Sequence, residues 1–297
     1  MRKIKILVDS CADLNERLLS EYDIDYVKMR TVYEGVETPA KLTYTKEELH
    51  TLFDMMRDKK RITTTQVPVE EFNTVFEKYL DEGCDIVYIA CASKQSGSVN
   101  TGTVVAKKLL EKYTDAKIYC IDSLNASIGI GSIAIEAAKM VKEGLSVDEI
   151  YERVMALRKK QNQYVTVHSL DALRRAGRVK GPAAFFGNLM GVKPIIISDK
   201  NGTQSAFKKV KGRQNSFNEI VALLKENIIN PEEQTVYVAH ADCSDEEVEA
   251  LVSLVRENIN CKAIEVVYIG PIIGASIGPD AVGVWGFGKE VTCSIGD

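Results

Sequence analysis

Two hydrophobic rhythms alternate along the chain. Compact apolar runs rich in Val, Ile and Tyr at 5–9, 85–90, 117–122, 164–168, 194–198, 235–239 and 264–269 predict β-strands. The early runs are nearly continuous rather than alternating, as in a parallel sheet covered on both faces. Between them apolar residues recur every three or four positions. Leu49, Leu52, Phe53 and Met56 mark a helix over 46–57, and Phe72, Val75, Phe76 and Tyr79 mark one over 69–79. Further helices are predicted over 101–113, 132–142, 147–159, 217–226 and 244–257, the last with Asp245, Glu246 and Glu247 in its first turn, where negative charge suits the helix dipole.

Strand–helix alternation to about residue 123 predicts an α/β domain with a parallel sheet. The helix running into Leu157–Gln163 marks a boundary. Residues 1–160 are expected to form the α/β domain, and 161–297 an α+β domain with a mixed or antiparallel sheet. The length of 297 residues fits two domains.

Composition narrows the classes. A 45% hydrophobic and 27% charged chain is neither disordered nor fibrous, and a formal charge of -4 makes nucleic acid or an anionic membrane a poor default partner. No apolar run is long enough to span a bilayer, and the opening apolar stretch is too short for a signal peptide. Seven scattered cysteines with no C-x-x-C fit a reduced protein, so a cytoplasmic location is expected.

Candidate chemistry is sparse. The three histidines, His50, His168 and His240, form no metal-ligand spacing, and each reads more simply as structural. Gly129–Ala134 fits G-x-G-x-x-A, but it lies too far after a strand for a dinucleotide turn, and its glycines suit close helix packing. Gly274–Gly278 fits G-x-S-x-G, yet Pro279 follows at once and no His comes later. A hydrolase elbow on Ser276 is disfavoured, and the segment reads as a Gly-rich turn that exposes backbone N–H groups.

Two polar turns are more promising. Thr63-Thr64-Thr65-Gln66 precedes a helix, and capping accounts for one hydroxyl, not three. In the second, Ser96-Gly97-Ser98 joins a strand to a helix and aims hydroxyls and N–H donors at one point. Both turns are expected at strand carboxyl ends, where α/β sheets bind ligands, and together suggest a pocket for a carboxylate or phosphate. Further on, Leu170–Val179 is basic, Phe185-Phe186 with Leu189 and Met190 forms an apolar run that is either core or a pocket wall, and Lys208–Arg213 is a cationic patch.

These residues together resemble the DegV family, the fatty-acid-binding subunits of bacterial fatty acid kinase. Val8-Asp9-Ser10-Cys11-Ala12-Asp13-Leu14, Thr64-Thr65-Gln66, Ser96-Gly97-Ser98, Asp122-Ser123, Leu170–Val179 with Gly177-Arg178-Val179, Gly191–Ile195 and Gly274–Pro279 match its motifs in order along the chain. The resemblance implies a fatty acid in a tunnel between two domains, no other cofactor, and a separate ATP-dependent kinase that phosphorylates the carboxylate. By position it makes Thr64 and Ser96 the carboxylate hydroxyls, with Ser276 beside them and Gly97, Ser98, Gly274 and Ala275 as donors. Phe185, Phe186, Leu189 and Met190 would hold the tail, and Arg178, Lys211 and Arg213 the kinase-facing or transfer region. The family's usual His is Ser276 here, Asp280 replaces its last Gly, and Val67 stands where Pro is usual. A Ser can hydrogen-bond a carboxylate but cannot balance its charge. Two other readings remain open: a lipid-bound sensor or scaffold without phosphotransfer, and a stand-alone enzyme on a small anionic substrate.

Overall fold

The computed structural model describes residues 2–168, 171–181 and 191–294. In chain order the first part holds β1 (Lys3–Asp9), α1 (Glu16–Tyr22), β2 (Ile24–Val27), β3 (Arg30–Tyr33), β4 (Val36–Pro39), α2 (Lys46–Arg57), β5 (Ile62–Thr65), α3 (Val69–Asp81), β6 (Cys84–Ala90), α4 (Ser98–Leu109), β7 (Ile118–Asp122), α5 (Ile128–Lys142) and α6 (Val147–Leu157). A 3-10 turn, Arg158–Lys160, leads into β8 (Gln161–Thr166), α7 (Asp171–Ala176), β9 (Val179–Lys180), β10 (Val192–Ser198), β11 (Gln204–Lys211), α8 (Arg213–Asn227), β12 (Thr235–His240), α9 (Asp245–Asn258), β13 (Ala263–Tyr268), α10 (Pro271–Ile277) and β14 (Val282–Phe287).

The first sheet, β2-β1-β6-β7, is parallel throughout. β6 is buried along its whole length, which is why its sequence does not alternate. The last sheet, β13-β12-β14-β8-β10-β11-β9, is mixed: β12–β13 and β11–β9 are parallel, and the pairings between β12 and β11 are antiparallel. The fold is therefore α/β, with the parallel and mixed sheets expected. An antiparallel sheet, β4-β3-β5, was not expected. It turns the threonine "turn" into a strand, with Thr64 paired to Thr31.

The layers explain the helix sequences. α3 and α4 cover one face of the parallel sheet, and α5 lies between that sheet and β8 and β14 of the mixed one. A helix enclosed on all sides must be apolar all round, and α5 is buried from Ile128 to Ile135 without interruption. A Cβ on Gly131 would stand 2.7 Å from the Ala12 carbonyl oxygen, and one on Gly129 3.2 Å from Trp285 Cδ1. The G-x-G-x-x-A pattern is thus a packing device. The far face of the mixed sheet is closed by α8 and α9 over Phe217, Leu224, Leu251 and Val255.

Candidate functional site

Three aspartates, Asp9 and Asp13 buried and Asp122 half-buried, set the site's frame. Asp9, at the end of β1, accepts hydrogen bonds from Tyr88 Oη and from the Cys91 N–H at 2.6 Å, where the Ser96 loop begins. Asp122, at the end of β7, accepts the Ser93 N–H of the same loop at 3.2 Å. Asp13 accepts the Gly270 N–H at 2.9 Å, fixing the start of α10, and the Ser127 hydroxyl at 2.5 Å. Burial pushes the Asp9 carboxyl up to about 6 and the Asp13 carboxyl up to about 7.

The Ser96 loop and β5 are tied together. The Val67 N–H donates to Ser98 Oγ at 3.2 Å, Gln66 Nε2 donates to Thr101 Oγ1 at 2.8 Å, and Ser96 Oγ lies 2.9 Å from Ser98 Oγ. Neither α3 nor α4 has a side-chain hydrogen bond from its N-cap residue, so capping does not employ Thr64. Ser98 is fully buried and joins the two segments; Ser96 and Thr64 are half-buried. Gly97 lies under the Gln66 amide, whose Oε1 stands 2.1 Å from where a Cβ would be.

The Gly274 segment is a helix, not the expected turn. The Gly274 N–H donates to the Gly270 carbonyl at 2.8 Å, so Gly274 is not a free backbone donor; its missing Cβ makes room for Phe53. Ala275 and Ser276 are half-exposed near the end of α10. Asp280 adopts the left-handed φ of +61° that a Gly would tolerate, and its carboxylate accepts Arg57 Nη2 at 2.7 Å. Arg57 also holds Asp54 and Asp242, pinning the loop after α10 to α2.

Two cavities meet at Ser276. The outer one, about 180 Å³, is lined by Thr63 and Thr64 of β5, by Ala275, Ser276 and Pro279, and by four cations, Lys60, Arg61, Arg175 and Arg178. No carboxylate lines it, and among the described residues Lys60, Arg61 and Arg175 have no ion-pair partner. The inner cavity, about 40 Å³, lies between α10, the start of α5 and the mixed sheet. Ile196, Ile269, Ile273 and Ile277 form much of its wall, and Gln95, Arg178 and Ser276 stand in it too. The structure thus brings Thr64, Ala275, Ser276 and Arg178 together. Ser96 is adjacent to Gln95, whose carbonyl lies 3.4 Å from Arg178 Nε.

Other expected positions differ. Phe185, Phe186, Leu189 and Met190 lie outside the described residues. Lys211 is exposed at the end of β11 and lines neither cavity. Arg213 is not a free surface cation: it makes two 2.9 Å bonds to Glu247 and donates to the Asp280 carbonyl at 2.7 Å, joining α8, α9 and the loop after α10. Lys60 and Arg61, which no motif in the sequence singles out, belong to the outer cavity. Their signal is a Lys59-Lys60-Arg61 run separated from the threonines by Ile62 alone.

The family model described as uncharacterised protein, DegV family COG1307, matches residues 3–288. The chain belongs to the DegV family. A DegV domain-containing protein of Clostridium perfringens is 36% identical over 290 residues, covering 97% of this DegV chain and 98% of its own. Among solved structures, a DegV lipid-binding protein of Thermotoga maritima superposes with a TM-score of 0.84 at 27% identity, covering 98% of this chain and 100% of its own. A stearic-acid-binding protein of Eubacterium ventriosum superposes with a TM-score of 0.82 at 26% identity, covering 95% and 98%. Proteins of this fold therefore include a lipid-binding DegV protein and a stearic-acid binder, and no described helix of this chain is long and apolar enough to cross a membrane.

Proposed function

We propose that this DegV protein binds one long-chain fatty acid, tail in the inner cavity and carboxylate in the outer one, and presents that carboxylate to a separate ATP-dependent kinase. The observation that carries the reading is the junction: a cation-rich polar cavity and a largely apolar one share Ser276 and Arg178. A carboxylate is poorly tolerated near apolar surface unless hydroxyls and cations satisfy it. Thr64, Ser96 and Ser276 supply hydroxyls, and Arg178 and Arg175 supply the charge that Ser276 cannot. The tail contributes about 0.8 kcal/mol per buried methylene. At about 40 Å³ the inner cavity is far below the ~300 Å³ of a typical ligand pocket, so the acyl chain enters only as the wall side chains part.

In the kinase step a carboxylate oxygen attacks the γ-phosphorus of ATP, the bond to ADP breaks, and an acyl phosphate forms. The uncompensated cations at the rim suit both the incoming phosphates and the product. The relatives' lipid and stearic acid binding supports the first half of this reading. The second half is tested by incubating delipidated protein with stearic acid, ATP and kinase purified from the same cells, trapping acyl phosphate as a hydroxamate. Hydroxamate that requires this protein supports the reading. Tight stearic acid binding with no hydroxamate would make it a lipid sensor.

A further inference from the structure

Two buried side chains that line the inner cavity each hold a polar atom without a partner. Trp285, 1% exposed, lines it with no acceptor for Nε1, and Gln163, 4% exposed, lines it with no donor for Oε1. They are direct cross-strand neighbours on β14 and β8, so their side chains share one face of the sheet.

The direction of the Gln163 amide is fixed by a chain of bonds. The Ser198 hydroxyl lies 2.7 Å from the Leu124 carbonyl oxygen, which only accepts, so the hydroxyl donates there. Ser198 Oγ must then accept, and Gln204 gives it its NH₂ at 3.1 Å. Gln204 Oε1 in turn accepts the NH₂ of Gln163. That leaves Gln163 Oε1 as the open acceptor, on the residue directly across the sheet from Trp285, whose indole N–H can only donate. Leaving both buried and unmatched is unfavourable. Gln161, on the same face, also has unpartnered amide atoms, but it does not line the cavity.

One donor and one acceptor side by side match a group that accepts and donates at the same oxygen. We infer that the preferred ligand is a long-chain fatty acid carrying a hydroxyl part-way along its tail, which accepts from Trp285 Nε1–H and donates to Gln163 Oε1. This rests on the fatty-acid reading above and names the acyl class. A plain methylene there leaves both groups unmatched, and a ketone could serve only the indole.

The test is competitive binding of stearic acid and the positional isomers of monohydroxystearic acid to the delipidated full chain. At least one isomer is expected to bind about tenfold tighter than stearic acid, the worth of two modest hydrogen bonds. Trp285→Phe, and independently Gln163→Met, should each shrink that ratio several-fold; the second variant covers a folding failure of the first. Stearic acid bound as tightly as every isomer would overturn the inference alone, with water left as the patch's occupant. A ratio that survives in both variants would overturn it too. Binding of no fatty acid at all would overturn the underlying reading as well.

Discussion

Ser98 is the hinge pin between the two hydroxyl-bearing segments, and replacing it isolates that role. Ser98 and Val67 are both fully buried, and the Val67 N–H has Ser98 Oγ as its acceptor at 3.2 Å. Ser98→Ala leaves that N–H buried and unmatched, at a cost of about 1–3 kcal/mol. It also removes one of the two ties between the segments, leaving only the Gln66–Thr101 bond, so Thr64, three residues before Val67, is held less firmly relative to Ser96. Urea unfolding followed by circular dichroism should show the midpoint lowered with an unchanged m value. The same variant should bind stearic acid more weakly than its stability loss alone would suggest. Ser98→Thr retains the hydroxyl and should recover most of the binding. If Ser98→Ala unfolds within about 0.5 kcal/mol of wild type, the size ordinarily seen at uninvolved surface positions, and binds lipid normally, the joining role assigned to this hydroxyl is wrong.

Thr64→Ala and Ser96→Ala should each weaken fatty acid binding several-fold with little change in unfolding midpoint; unaltered titration curves for both would remove them from the site. Asp13 holds its proton more tightly folded, at about 7, than its ordinary 3.8. As pH rises the unfolded chain releases that proton first, so this group's contribution to stability falls between about pH 4 and pH 7 and stays low above. Asp13→Asn should flatten the decline in melting temperature between about pH 4 and pH 7; a profile as steep as wild type would show that the group titrates normally. Gly131→Ala presses a methyl against the Ala12 carbonyl at 2.7 Å and should destabilise by about 1–3 kcal/mol, whereas a neutral effect would mean that α5 shifts freely.

The seven apolar runs are all strands, because a buried strand needs little beyond Val, Ile and Tyr to declare itself. Most of the strands that stayed hidden lack a continuous apolar run. β4 is exposed along its whole length, β5 is Ile62 followed by three threonines, and β14, though buried, is broken by Gly283 and Gly286. β8 begins with Gln161-Asn162-Gln163, polar yet buried, so its predicted start came three residues late. Those glutamines became informative only once the fold placed one of them in the wall of a cavity. The threonine and serine segments were legible from an excess of hydroxyls over what capping requires. The cations Lys60, Arg61 and Arg175 were not, since charge runs mostly mark solvated faces, and only the topology shows them converging without carboxylates. Arg213 shows the opposite error: it reads as surface charge, and Glu247 makes it structural. At Gly274 the glycine serves contact with Phe53 rather than a turn.

The central claim is that this chain carries a fatty acid, and mass spectrometry of the purified protein addresses it directly. Native spectra before and after delipidation, with the extract analysed for acyl chains, should show one fatty acid per chain, lost on delipidation and regained when stearic or hydroxystearic acid is added. A protein that arrives bare and takes up neither acid would contradict the account.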